Sequence, residues 1–254
     1  MLAEYVVRGA KAGLVAGLLF GLFVALVANP LVAVADEQAH ADGHHEDEGA
    51  GDHAESHPES AVSATVTNVV SVASGVLWGL LLGAVGFGVV GYFLEPIVPG
   101  EGALQSYLLA AGGFLTVSGG PWLLLPPTVP GAERAIATET GMVLYGGMVL
   151  ASAIACLVAA VSYDRLRDRR GRPVAGAVAL VLLGLLAAVP LLSPFEPATA
   201  SLPPDLAASV LGSVVFGQVL LWLALAATHA RLEPGTEEPA QVQPSPTDPP
   251  VSAD

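Results

Sequence analysis

The segment DEQAHADGHHEDEGAGDHAESHPE, residues 36 to 59, gathers five of the chain's six histidines and nine of its twenty-three acids. Imidazole nitrogens come from His40, His44, His45, His53 and His57, and carboxylate oxygens from Asp42, Glu46, Asp47, Glu48, Asp52 and Glu55, with Asp36, Glu37 and Glu59 at the ends. Such a mixture suits divalent first-row ions. Imidazole favours zinc, copper and nickel, whereas carboxylates accept harder ions. Gly43, Gly49 and Gly51 interrupt the segment, and no large apolar residue occurs from Asp36 to Pro58. Nothing therefore preorganises a single site, and the expected behaviour is a flexible lure of overlapping weak sites. A solvated acidic loop would not need five histidines in twenty-four residues when the rest of the chain has one.

The remainder of the chain avoids charge. Of 254 residues, 53% are hydrophobic and 13% charged, against about 25% charged in a typical soluble domain. The apolar residues fall into six blocks: Ala12 to Val34, Val69 to Leu94, Leu104 to Leu125, Gly141 to Ser162, Val174 to Leu192 and Leu206 to Thr228. About 20 helical residues cross a bilayer core, and no period-2 alternation points to a β-barrel. The expected fold is an all-α integral membrane protein, a polytopic bundle of about six transmembrane helices. Its parts are a first span over 1–35, an external His/Asp/Glu-rich loop over 36–68, five further spans over 69–230, and an acidic Pro-rich tail over 231–254.

The basic residues orient the bundle. Six alternating spans place Arg8, Lys11, Arg165, Arg167, Arg169, Arg170, Arg172 and Arg231 on one side and Arg134 on the other. By the positive-inside rule both termini are cytoplasmic and the His-rich segment faces outside, as expected for a multi-pass plasma-membrane protein. Arg8, Lys11 and the AVA at 33 to 35 imitate a signal peptide, but its apolar stretch exceeds the usual h-region of about 7–15 residues. It also carries Gly9, Gly13, Gly17 and Gly21 at four-residue spacing, and the second block repeats this with Gly75, Gly79 and Gly83. Glycines so spaced form a groove where another helix backbone approaches closely.

Several functions are disfavoured. Lys11, the sole lysine, lies in no GxxxxGK[ST] loop, so no ATPase is expected in this chain. TVSGGP around Ser118 has Thr116 where an intramembrane serine protease pattern wants Gly, and no enzyme activity or bound cofactor is expected. Cys156, the only cysteine, excludes thiolate clusters and disulfides within the chain. A net charge of −14 makes nucleic acid an unsuitable partner. The lipid bilayer is the expected one. Polar residues that could serve an ion inside the spans are few: Asn29, Thr116, Ser118, Ser152 and Gln218, with Glu95 at a cytoplasmic end.

Two stretches carry a family resemblance. AGLVAGLLFGLFVALVANPLVAVADEQAHADGHHEDE and PWLLLPPTVPGAERAIATETGMVLYG resemble the first span with its His-rich loop, and the proline-rich exit of the third span, in the predicted cobalt transporter subunit CbtA family. The similarity covers roughly residues 1 to 230. It departs at Thr128-Val129-Pro130-Gly131, where an Asn-Pro-Pro-Gly type turn is usual, at Leu123 to Leu125, and in having six spans rather than five. The resemblance implies cobalt uptake for corrinoid synthesis with a small single-span His-bearing CbtB-type subunit. A permease subunit for a divalent ion, cobalt with nickel, zinc or copper as alternatives, is the leading expectation. A membrane-anchored metal-binding or sensing protein without transport is the alternative.

A peptide covering Asp36 to Glu59 should bind copper(II) and nickel(II) more tightly than cobalt(II), and cobalt(II) no better than zinc(II), because unstructured ligands follow the Irving–Williams order. Binding should fade below about pH 6 as imidazole, of pKa ≈ 6.5, protonates. Calorimetric titration at pH 7.5 and 5.5 checks both; a preference for cobalt, or equal binding at both values, would reveal a formed, selective site.

Overall fold

The computed structural model of the chain describes residues 1–43, 63–130, 132, 136–192 and 202–233. Six helices are long and apolar enough to cross a membrane: α1 (Leu2–Gln38), α2 (Ala64–Leu94), α3 (Ala103–Leu124), α4 (Thr138–Arg170), α5 (Arg172–Leu191) and α6 (Pro204–Leu232). No strand occurs among the described residues. Several boundaries move outward from the apolar blocks, two of them at the His-rich segment. The helical backbone that follows α1 continues to Gly43, into the His-rich segment. Helix α2 starts at Ala64, five residues before the apolar block, because the Ser63 side chain caps it by accepting from the Val66 N–H at 3.4 Å.

Helices α1 and α2 pack antiparallel through their glycines. Gly9, Ala12, Gly13, Ala16, Gly17 and Gly21 form the buried stripe of α1, and Gly75, Gly79, Gly83 and Gly88 face it from α2. Four-residue spacing keeps these positions on one face of each helix. A Cβ on Gly13 would collide with the Gly79 carbonyl, one on Gly17 would lie 3.0 Å from the Gly79 Cα, and one on Gly21 2.8 Å from the Val72 Cα. The two backbones therefore touch over about 18 Å, the rise of twelve helical residues. In lipid, where helix association gains nothing from hiding apolar surface, such close packing is a principal source of attraction.

Helix α6 closes the core against α1 and α3. Its Leu221, Trp222, Leu225 and Ala226 bury against Ala16, Phe87 and Ala110. The Trp222 ring lies over Gly113, where a Cβ would come 3.2 Å from Trp222 Cε3 and closer still to the rest of the ring. A second cluster, Ala35, Val129, Leu202 and Val210, seals the end away from the termini. Helix α4 packs on the second half of α3, and α5 packs on α4, so this pair stands outboard of the other four. Gly171 alone links them, with φ 84°, a left-handed conformation that glycine adopts without strain. Leu180, Val181, Leu185 and Leu191 of α5 are all more than 60% exposed. Bilayer tails accept such a surface.

Three helices contain a π-helical turn: α1 at Val24–Ala28, α2 at Leu82–Val90 and α3 at Leu115–Gly119. Pro121, two residues beyond the last, cannot supply an N–H to the Val117 carbonyl. The Tyr145 hydroxyl from α4 donates to that carbonyl at 2.8 Å, the substitution of partners that a transmembrane proline requires.

Leucine at Gly79 should displace one backbone of the α1–α2 seam. Gly146 on α4 has nothing within 4 Å of its would-be Cβ. Gly79→Leu should therefore destabilise the purified protein by about 3 kcal/mol or more, at or above the upper end of overpacking costs, whereas Gly146→Leu should leave it near wild type. Thermal unfolding of both variants in one detergent checks this; equal melting temperatures would mean the seam is not closely packed.

Candidate functional site

Of the ligands expected in the His-rich segment, His44, His45, Glu46, Asp47, Glu48, Asp52, His53, Glu55 and His57 lie outside the described residues. His40 and Asp42 fall on the helical backbone that ends at Gly43, and only their backbone is described. Among the described residues no three His, Cys, Asp or Glu side chains stand together closely enough to hold an ion. What the bundle does contain is a set of polar contacts at three depths.

At the loop end, α1 meets α2. The Asn29 Nδ2 donates to Asn68 Oδ1 and to Ser71 Oγ, each at 3.0 Å. Pro30 prevents normal continuation of the hydrogen-bond ladder here, and the π turn before it ends with the Asn29 N–H reaching back five residues to the Val24 carbonyl. At mid-depth, α3 meets α6. Ser118 Oγ donates to Gln218 Oε1 at 3.0 Å, and Ser118 lies inside the π turn Leu115–Gly119. Ser118 is buried and Gln218 half-buried.

The end that carries both termini holds the richest constellation. Arg8 of α1 donates through Nε to His229 Nε2 of α6 at 3.1 Å. On the other side of the ring, His229 Nδ1 and Ser106 Oγ of α3 are 2.8 Å apart, and Ser106 Oγ donates to Glu233 Oε1 at 3.2 Å. The donors fix the tautomer. A guanidinium has no acceptor, so His229 Nε2 must present its lone pair to Arg8. The proton then sits on Nδ1 and is given to Ser106, whose own proton goes to Glu233. Phe87, in the π turn of α2, packs against the imidazole with ring centroids 5.1 Å apart. Nearby, the Tyr5 hydroxyl donates to Glu95 at 2.7 Å, Gln105 Nε2 donates to the Glu95 carbonyl at 2.8 Å, and the Arg8 Cζ lies 4.6 Å over the Tyr5 ring.

These groups line an open cavity of about 640 Å³ among α1, α2, α3 and α6. Its charged side chains are the three carboxylates Glu4, Glu95 and Glu233 against the one guanidinium of Arg8. The wall is thus net negative, which concentrates cations.

The three contacts are vertically ordered. Arg8 and Asn29 are 21 residues apart on α1, about 30 Å of helix, which is the thickness of a bilayer core. Gln218 precedes His229 by eleven residues on α6, about three turns or 16 Å, so both occupy one face of that helix. Each contact sits in or beside a π turn, a feature that occurs often at functional positions. Of the polar candidates in the sequence, Asn29, Ser118, Gln218 and Glu95 thus join interhelical contacts. Ser152 instead lies buried against Gly120, its Oγ without a partner among the described residues. Cys156, half-buried, faces the Gly112 carbonyl at 3.8 Å. The Arg8–His229–Ser106–Glu233 chain was missed by sequence reasoning. Its only signal was a lone arginine and a lone histidine near the ends of two spans.

Comparison with known proteins adds the family. The model of the CbtA family, described as a probable cobalt transporter subunit, matches residues 2–233, nearly all of the chain outside the Pro-rich tail. No curated protein and no solved structure matches. Six membrane-crossing helices and this match together make the chain a multi-pass transmembrane protein of cobalt transport. It belongs to the CbtA family of probable cobalt transporter subunits.

Proposed function

We propose that the chain is the membrane permease subunit for uptake of a divalent transition-metal ion, cobalt foremost, and that its external His-rich loop captures the ion. The observation that carries the proposal is the ordered set of polar contacts inside α1, α2, α3 and α6, spaced over a bilayer's depth. Elsewhere in the described spans Ser152 is the one buried polar side chain, and an ion cannot cross hydrocarbon without oxygen or nitrogen partners. Amide and hydroxyl oxygens at Asn29, Asn68, Ser118 and Gln218 are neutral. They can replace a few waters of a partly hydrated ion and hold it weakly enough to release it.

Direction follows from charge. With both termini cytoplasmic, the ion meets the acidic, histidine-rich loop first and the negative cavity beside Arg8 last. The four arginines near the end of α4 and Arg172 opening α5 anchor that side at anionic lipid headgroups. The driving force comes from outside this chain or from the membrane potential, which supplies about 2.3 kcal/mol per unit charge per 100 mV. A small CbtB-type single-span subunit is the proposed partner. The ion itself is cargo, and no resident cofactor is needed.

Purified protein in proteoliposomes, with the proposed subunit added where required, should accumulate cobalt(II); binding without accumulation would mark the sensor alternative instead. Excising residues 38–58 should lower influx mainly at low external metal, with the rate recovering as concentration rises. The loop raises local concentration but lies beyond the spans. Loss of influx at every concentration, with protein levels normal, would place the loop within the route.

A further inference from the structure

His229 is the only imidazole in the described spans, and its surroundings are those of a metal ligand that currently holds something else. A ligating histidine donates its second ring N–H to a carboxylate or a group leading to one, which fixes the tautomer and aims the free lone pair. Here Nδ1 is held at 2.8 Å by Ser106, which in turn donates to Glu233 at 3.2 Å. The Nε2 lone pair on the cavity side meets a cation, the Arg8 guanidinium, at 3.1 Å. The residue is 4% exposed, and Phe87 braces its ring.

We propose that His229 Nε2 is a transition-metal ligand at the terminal end of the route, and that Arg8 is a tethered cation occupying it until an ion arrives. Arg8 has somewhere to go. Its guanidinium already lies over the Tyr5 ring, which Glu95 holds by the Tyr5 hydroxyl at 2.7 Å. A shift along that ring frees Nε2 while keeping a cation–π contact. The ion then takes one imidazole nitrogen from the protein and fills its remaining positions with water, for which a cavity of about 640 Å³ has room. Glu4, Glu95 and Glu233 on the cavity wall supply counter-charge. With a single strong ligand and a positive charge returning to compete for it, the site binds briefly and releases. That suits a point of exit. The proposal deepens the permease account, but it is measured by binding without flux, so the two fail separately.

The test uses the full chain in lipid nanodiscs with His40, His44, His45, His53 and His57 all changed to Asn, which leaves His229 as the last imidazole. Cobalt(II) is titrated calorimetrically into this background and into derivatives carrying Arg8→Gln, His229→Gln or both. Arg8→Gln should tighten binding at least about tenfold, since it removes a like charge beside the ion as well as the competitor for Nε2. Adding His229→Gln should abolish the gain. Equal affinity with and without Arg8, or a gain that survives His229→Gln, overturns the proposal. Copper(II) electron paramagnetic resonance covers the case in which Arg8→Gln does not fold. With Arg8 intact, the spectrum should carry imidazole-nitrogen coupling that His229→Gln removes; identical spectra from the two chains overturn the proposal equally.

Discussion

The rest of the bundle depends on the direct contact of the α1 and α2 backbones. Glycine at every fourth position lets the Gly13 and Gly17 turns sit on the Gly79 and Gly75 turns with no side chain between them. A contact of that closeness admits one register. The same register pairs Tyr5 with Tyr92 near the termini and Asn29 with Asn68 at the far end. The seam thus fixes the depth at which each polar group of α1 meets α2. A one-turn slip would move Asn29 about 5.4 Å from its partners and leave its amide unpaired in lipid, at a cost of several kcal/mol. Packing and polar pairing therefore enforce each other.

Helix α6 reads that fixed pair. It lies along α1 and α3 and carries Gln218 and His229 on one face, so one straight helix serves both the middle and the terminal contact. The outboard position of α4 and α5 has a matching logic. Their task toward the interior is limited to bracing α3, through the Tyr145 hydroxyl on the Val117 carbonyl and Ser152 against Gly120. The π turns place irregular backbone beside each polar contact, with Ala25, Phe87 and Ser118 turned into the bundle.

Much of this was legible in the residues. The six spans followed from apolar block length, and the α1–α2 seam from two glycine series at helical spacing. Gln218 could be singled out as an isolated amide in an apolar helix. Its partner could not, because Ser118 is one of several span hydroxyls and only the π turn and the α3–α6 packing select it. The terminal constellation was illegible for a plainer reason. Arg8, Ser106, His229 and Glu233 come from the ends of three helices about a hundred residues or more apart in the chain, and an arginine at a span end serves equally well as a topology signal. The π turns leave no compositional mark. The helical extension to Gly43 was hidden by the acidic, glycine-containing composition of the segment it enters.

The central claim is that a divalent ion passes through the interior shared by α1, α2, α3 and α6. Cobalt(II) influx into proteoliposomes containing Gln218→Leu, with the His-rich loop intact, tests it most directly. Leucine keeps the volume of the side chain and removes the mid-depth oxygen, leaving the loop and the terminal cavity untouched. The account predicts that the maximal rate falls at least about tenfold, the equivalent of about 1.4 kcal/mol in the barrier, while the concentration for half-maximal rate changes little. A wild-type maximal rate from folded Gln218→Leu protein would contradict it and place the route elsewhere.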